Sequence, residues 1–417
     1  MDGRAVIFIE SNTSGTGQTF VRTAAEMGFV PVLVSTRPER YAFAAAEPGL
    51  RVRTVADTGD IGALAESLAE AYGGGAGIAA VTSSSEYSIP VAAALARRFG
   101  LPGPDPDAIA RSRDKGYQRT RLAEAGVGVP PFREAGSAEA AVEAARALGW
   151  PVVVKPVDGS GSVGVRLCAD ETAVAAHAAA LLSRGANERG IAPAPRLLVE
   201  AMAQGAEFSV ETFSGRIIGI TRKHLGPLPD FVETGHDYPA FASPEDERAL
   251  ADAVLRGTEA LGLGWGPQHW ELRVDAGRAA VIEVNPRLAG GFIPELVRRA
   301  QGIDLVRATL ELATGGTPDV DARSARSASI RFLLSPGDGT LAAPEGVDDA
   351  ARVPGVEEVR MYRAPGDAIV RAGDFRDRVG HVVAVADVAE DARRAAERGR
   401  DAVRLRLEPA AAPAPAA

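Results

Sequence analysis

The first feature of this 417-residue chain with chemical consequences is a lysine set between an apolar run and a cluster of glycines. In P-V-V-V-K-P-V-D-G-S-G-S-V-G-V, residues 151–165, a buried strand would deliver Lys155 and a loop follows at once. Gly159, Gly161 and Gly164 leave backbone N–H groups free to approach phosphate oxygens, and Lys155 supplies a point charge. A second set lies in Q-H-W-E-L-R-V (268–274) and V-I-E-V-N-P-R-L-A-G-G (281–291). Alternation puts His269, Glu271 and Arg273 on one face of the first strand. It puts Glu283 and Asn285 on one face of the second, with Ile282 and Val284 packing behind. Gly277 turns the chain between them, so the pair is expected to be an antiparallel hairpin. Two carboxylates and an amide oxygen on facing strands are hard ligands suited to Mg²⁺ bridging the phosphates of ATP. Arg287, just past the strand, is placed to stabilise charge on a transferring phosphoryl group.

Between these sets runs R-L-L-V-E-A-M-A-Q-G-A-E-F-S-V-E, residues 196–211. Leu197–Glu200 is expected as a strand and Glu200–Gln204 as a hinge whose backbone reads an adenine edge. Glu207, Ser209 and Glu211 share a face by the period-2 rule, and a carboxylate there can accept hydrogen bonds from ribose hydroxyls. Each segment has a plain counterpart: a glycine-rich hairpin with a surface lysine, an edge strand with a polar outer face, a solvated acidic face. The last fails to explain why acids, amide and arginine interrupt an apolar run, and the ordered set of elements outweighs any one of them. The early loop S-G-T-G (14–17) lacks the third glycine of a dinucleotide fingerprint and the lysine order of a P-loop. It reads either as a tight strand-to-helix turn or as a substrate loop with Glu10, Ser11 and Asn12 as its polar candidates.

The elements that must hold these residues follow from hydrophobic period. Residues 4–9 are β-branched-rich, a helical pattern runs to Met27, and Val30–Val34 offers a second strand, which together make a βαβ unit with a parallel sheet. With a strand at Gly77–Thr82 and a helix at Ile89–Phe99, residues 1–110 read as a small doubly wound α/β domain. A helix is expected from Pro106 to Ala125 and another over Ala138–Leu148, with a strand at Pro151–Pro156. Residues 111–325 form the central domain, with strands from Leu197 to Ile220 and in the hairpin. Residues 326–405 return to mixed α/β as a small C-terminal lobe. Its strands are expected at Arg331–Leu334, Val356–Tyr362 and Val379–Val385, and its helix at Asp387–Arg404, with Asp387 as N-cap. The Ala/Pro tail, residues 406–417, is expected to be disordered.

Bulk composition narrows the classes. Hydrophobic content of 46% with 24% charged residues fits a folded globular protein of two or three domains. A net charge of −9 without any Lys/Arg run argues against a nucleic-acid partner. The single cysteine, Cys168, excludes an intramolecular disulfide and is too few for a thiolate metal site, so a buried filler is expected. Glu10 interrupts the first apolar run too early for a signal peptide, and no stretch reaches the ~20 apolar residues of a membrane helix. A cytoplasmic protein, with a homodimer as the default assembly, is the expectation.

With R-D-K-G-Y-Q-R (113–119), V-V-K-P and its glycine loop, L-V-E-A-M (198–202) and E-V-N-P-R (283–287), the chain resembles the ATP-grasp enzymes from residue 4 to about 405. That resemblance implies nucleotide contacts from Lys115, Lys155 and the loop Gly159, Ser160, Gly161, Ser162 and Gly164. It implies Glu200 and Met202 at the adenine hinge and Glu207 at the ribose. Glu271, Glu283 and Asn285 would hold Mg²⁺, two ions in all with Mn²⁺ as a substitute, and Arg287 would assist formation of an acyl phosphate. R-F-L-L-S-P-G-D-G (331–339) and D-R-V-G-H-V-V-A (377–384) resemble the small C-terminal lobe of the biotin carboxylase-like branch.

Within the superfamily, I-T-R-K-H-L-G-P-L-P-D-F-V-E-T-G-H-D-Y-P-A (220–240) is similar to bacterial L-amino acid ligases, among them dipeptide antibiotic ligases and carnosine-synthase-like enzymes. There the V-E-T-G-H run faces the acyl-transfer site, which nominates Lys223, Glu233 and His236, with His236 as the amine-side base. Arg222 departs from that group, where its position is often acidic. The implied partners are a small-molecule carboxylate, that of an amino acid, and an amine, joined with release of ADP and phosphate. The competing classes are a biotin-carboxylase-like or purine-pathway carboxylating enzyme and a non-catalytic nucleotide-binding protein. Against the first, N-P-R is followed here by L-A-G-G-F-I-P rather than L-Q-V-E-H, and no M-K-M motif exists.

Overall fold

Alternation of short β-branched strands with Ala-rich helices builds the N-terminal layer as the periodicity predicts. The computed structural model describes residues 3–13, 15–187 and 190–409. Strands β1 (Ala5–Ile9), β2 (Val30–Ser35), β3 (Arg51–Thr54) and β4 (Ile78–Thr82) form a parallel sheet in the order β3-β2-β1-β4. Helices α1 (Thr16–Glu26) and α2 (Ile61–Ala71) connect β1 to β2 and β3 to β4, and α3 (Ile89–Arg98) follows β4. The order reverses between β1 and β4, so the crevice beyond their carboxyl ends is where such a sheet accepts ligands.

The expected helix from Pro106 to Ala125 is two helices, α4 (Pro106–Arg111) and α5 (Lys115–Glu124). Asp114 breaks it: its carboxylate accepts from Tyr117 N at 3.1 Å, capping a new helix from an extended backbone. The break has a use, because it sets Lys115 at a helix start with its backbone N–H on the Val157 carbonyl at 2.8 Å.

Next comes a four-stranded antiparallel sheet of β5 (Phe132–Ala135), β6 (Val152–Pro156), β7 (Arg166–Cys168) and β8 (Leu197–Ala201), in the order β5-β8-β6-β7. Helices α6 (Ala138–Leu148) and α7 (Glu171–Leu182) cover it, and Cys168 is buried beneath them as expected.

An eight-stranded sheet carries the other wall of the site. It comprises β9 (Ala206–Phe213), β10 (Arg216–Leu225), β11 (Glu233–Tyr238), β12 (Pro267–Asp275), β13 (Arg278–Asn285), β14 (Ser327–Leu334), β16 (Val356–Met361) and β18 (Arg378–Ala386). The order is β13-β12-β9-β10-β11-β14-β18-β16, so the C-terminal lobe adds its strands to the central sheet. The short strands β15 (Gly339–Leu341), β17 (Ala368–Ile369) and β19 (Leu407–Glu408) make a small sheet at the end. Helix α8 (Pro244–Leu261) packs behind the hairpin, where Trp270 is fully buried with Leu122, Leu250 and Val284. Helices α9 (Ile293–Gln301) and α10 (Leu305–Ala313) belong to the core that joins Phe8 and Phe20 of the first domain to Phe213, Tyr238 and Ile330 of the large sheet. The last two helices, α11 (Val347–Ala351) and α12 (Ala389–Ala402), lie in the C-terminal segment.

Three further expectations change. Val388, not Asp387, stands at the cap of α12, and Asp387 pairs with Arg326 at 3.3 Å instead. The tail expected to be disordered from residue 406 includes β19, which pairs with β15; residues 410–417 lie outside the described residues. In the hairpin the register shifts between Glu271 and Leu272, so Leu272 faces Val281 while Glu271 faces Glu283. Ile282 is therefore the extra residue of a bulge, and Val281 takes the core position beside Val284.

Candidate active site

Lys155, the next-to-last residue of β6, is 3% exposed, and β8 runs antiparallel beside that strand with Val153 opposite Glu200. The Glu200 carboxylate accepts from the Lys155 ammonium and from Arg119 Nε. Burial is the main force pulling the Lys155 pKa down, and Glu200 opposes it. Lys115, also 3% exposed, reaches the same space from the start of α5. Its ammonium donates to the Gly159 carbonyl at 2.5 Å and lies 3.1 Å from Glu283. The two lysines thus arrive from different elements at the mouth of the glycine loop. Ser160 in that loop donates to Glu86 at 2.6 Å. Gly161 and Gly164 sit at φ +63° and +76°, where a side chain would be strained, and Ser162 accepts φ 63° between them.

From β8 the chain passes through Ala201–Gly205 into β9. Met202 is half-buried there, and its carbonyl accepts from Gln204 Nε2 at 3.0 Å. Gly205 is at φ +87°, and a Cβ on it would meet the Val274 carbonyl oxygen at 2.1 Å, so the hinge sits directly on β12. Glu207 follows on β9 and accepts from Arg273 Nε at 3.1 Å.

Three carboxylates converge on one buried cation. The Lys223 ammonium lies 2.6 Å from Glu233, 2.9 Å from Glu271 and 3.6 Å from Glu207. Burial alone would lower the Lys223 pKa, but these carboxylates raise it well above its ordinary value. Reciprocally, burial would raise Glu271, and Lys223 and His269 hold it below the usual carboxylate range. His269 bridges Glu211 at 2.9 Å and Glu271 at 3.1 Å, and these acids lift its pKa to about 9 against the pull of burial.

Glu271 and Glu283 stand directly opposite each other, as do His269 and Asn285. Like charges so placed repel, and here Lys223 at 2.9 Å from Glu271 and Lys115 at 3.1 Å from Glu283 offset them. Among the described residues no group of three or more His, Cys, Asp or Glu side chains could hold a metal by itself. Two carboxylates with Asn285 fit the set that Mg²⁺ takes when phosphate oxygens and water complete its shell.

His236 is set deep within the site rather than at its surface. It is 0% exposed, with Nδ1 on the Gly291 carbonyl at 2.9 Å and Nε2 3.2 Å from Glu233. Burial pushes its pKa down, and a Cβ on Gly291 would meet its Cε1 at 2.4 Å, so the pocket is closed around it. With Nδ1 on a backbone carbonyl and Nε2 toward Glu233, His236 is held beside that carboxylate with no exposed edge. Glu233 is also bonded by Arg378 at 2.5 Å; burial would raise it, but Lys223 and Arg378 keep it well below the carboxylate range.

Two features escaped the sequence reading. Glu86, in the loop between β4 and α3, is bound by Arg113, Ser160 and Arg287. A cavity of about 40 Å³ adjoins Arg287 and Leu288, walled by Phe20, Ile89 and Trp265 at the β1/β4 crevice. Of the early-loop candidates, Glu10 is internally satisfied by Ser35 (2.7 Å), Thr36 N (2.8 Å) and Tyr41 (2.6 Å). Ser11 and Asn12 clasp Ser84, at 2.6 Å and 2.9 Å, and Ser14 lies outside the described residues.

Comparison with known proteins agrees with this geometry. Residues 148–295 match the ATP-grasp domain, and residues 331–408 match L-amino acid ligase C-terminal domain 2. An uncharacterized protein of Sinorhizobium fredii is 38% identical over 406 residues, covering 97% of this chain and 84% of that protein. Carnosine synthase 1 of Gallus gallus is 29% identical over 403 residues, covering 90% of this chain but only 43% of its own length. The crystal structure of an L-amino acid ligase from Bacillus licheniformis superposes with a TM-score of 0.80 at 21% identity, covering 97% of this chain and 99% of that one. No helix among the described residues is long and apolar enough to cross a membrane. The chain belongs to the ATP-grasp carboxylate–amine ligases, in the branch of the L-amino acid ligases.

Proposed function

We propose that the protein joins the carboxylate of an amino acid to an amine through an acyl phosphate, using ATP and releasing ADP and phosphate. The observation that carries this reading is the β12/β13 hairpin, whose Glu271, Glu283 and Asn285 run straight into Arg287 opposite the glycine loop. Adenine lies at the Ala201–Gly205 hinge with Glu200 and Met202 beside it, the ribose at Glu207, and the phosphates between Lys115, Lys155 and the loop Gly159–Gly164. Glu271, Glu283 and Asn285 would hold Mg²⁺, which would supply charge neutralisation for the nucleotide phosphates.

Arg287 holds the reacting carboxylate in line with the γ-phosphorus. A carboxylate oxygen bonds to that phosphorus as the β–γ bridge breaks, leaving ADP. The amine then attacks the acyl carbon, loses a proton, and phosphate departs with the remaining oxygen. Glu233, kept ionised by Lys223 and Arg378, holds a substrate ammonium group, and His236 fixes its orientation. The apolar walls of the small cavity beside Leu288 suit a short aliphatic side chain on the activated amino acid.

The test is nucleotide release with pooled L-amino acids. ADP and phosphate form in step with amide, and neither accumulates without amino acid. Release of AMP and pyrophosphate would sink the acyl-phosphate reading.

A further inference from the structure

Glu86 sits in the S-S-S-E-Y loop, 5% exposed, at the end of the first domain that meets the central domain. One oxygen accepts from Arg113 Nη1. The other accepts from Ser160 Oγ at 2.6 Å, from Arg287 Nε at 3.0 Å and from Arg287 Nη2. Arg113 is itself fixed by the Asp158 carbonyl at 3.1 Å and by the Tyr87 ring at 4.7 Å. A single carboxylate therefore ties the start of the glycine loop to the arginine that follows the metal hairpin. Burial would raise its pKa, but Arg287 and Arg113 hold it far below the usual range, so it stays ionised.

Three donors crowd one oxygen of Glu86 and Arg113 holds the other, in a pocket that leaves the residue 5% exposed. Glu86 is thus enclosed by protein donors, which separates its role from that of Glu233. Arg287 meanwhile has five N–H donors. Two go to Glu86 and one to the Leu288 carbonyl at 2.9 Å, leaving one N–H on each terminal nitrogen without a described partner. A guanidinium clamped on one edge presents its remaining donors in a fixed direction, which is what bidentate oxyanion recognition needs.

We infer that Glu86 is a positioning residue of the reaction: it holds the guanidinium of Arg287 so that its two unpaired N–H groups meet the reacting carboxylate and phosphoryl oxygens. The inference rests on the role given to Arg287 above. Glu86 contributes no atom to substrate, and its effect passes through Arg287.

A double-mutant cycle on the full-length chain with Mg²⁺-ATP tests this. Glu86→Gln keeps size but loses charge, and kcat falls roughly 10- to 100-fold. Binding of Mg²⁺-ADP, read by calorimetry, weakens by a smaller factor than kcat falls, because of the nucleotide contacts only the glycine loop, through Ser160, touches Glu86. In an Arg287→Lys background the same change costs less than about threefold, since the group it positions is gone. Glu86→Asp retains the charge and recovers part of kcat, and it serves as the second arm if the glutamine variant does not fold. Additive losses in the cycle, or an aspartate variant no better than the glutamine one, overturn the inference. Because the cycle is read on ATP consumption, amino-acid-independent ADP release with strong coupling would overturn the functional reading and leave Glu86 in place.

Discussion

Glu283→Ala should cut turnover by at least ~10²-fold with the hairpin intact, the scale on which loss of one charge-stabilising group is felt. Its carboxylate stands opposite Glu271 across two strands, with the Lys115 ammonium at 3.1 Å. Removing it halves the carboxylate charge available to Mg²⁺ and leaves Lys115 with the Gly159 carbonyl. The backbone register does not depend on the side chain, which is part-exposed and makes no core contact. The deficit therefore appears in kcat and in a raised requirement for Mg²⁺, and far-ultraviolet circular dichroism stays unchanged. A folded variant with near-normal turnover at low Mg²⁺ would remove Glu283 from the metal set.

Lys223→Met should be the most damaging single change in stability. The ammonium is 2% exposed and sits among Glu207, Glu233 and Glu271. Taking away the common partner leaves three buried carboxylates facing one another with only Arg273, Arg378 and His269 beside them, which costs roughly 3 kcal/mol. The sign of the pH dependence follows. Loss of the shared ammonium raises the folded-state pKa values of these buried acids relative to those in the unmodified protein. The deficit relative to the unmodified protein narrows as pH falls toward the carboxylate range and is fullest near neutrality. Chemical denaturation at several pH values checks this. Equal midpoints for the two proteins at pH 7 would show that Lys223 does not neutralise the cluster.

Local pattern explains which parts of the site were legible in the sequence. Lys155 and the glycine loop are contiguous, and Glu271, Glu283 and Asn285 follow from period-2 spacing, so strand and loop periodicity placed them. The same rule misassigned Ile282, because alternation carries no sign of a bulge. Glu86 could not be found that way. Its partners lie 27, 74 and 201 residues away, and nothing in S-S-S-E-Y marks one acid as a hub. The burial of His236 was not legible either: the Gly291 carbonyl and Glu233 engage its two nitrogens, and burial is set by packing remote in sequence. The helix over 106–125 broke because Asp114 has two uses, as an interior residue or as a cap, and only the docking of Lys115 beside Val157 decides between them.

The central claim is that a carboxylate oxygen of the substrate becomes bonded to the γ-phosphorus. Labelling both carboxylate oxygens of the amino acid with heavy oxygen and analysing the released phosphate by mass spectrometry follows that bond. An acyl phosphate predicts one labelled oxygen in each phosphate formed and one retained in the amide carbonyl. Phosphate carrying no label, in a reaction that still makes amide and ADP, would contradict the account.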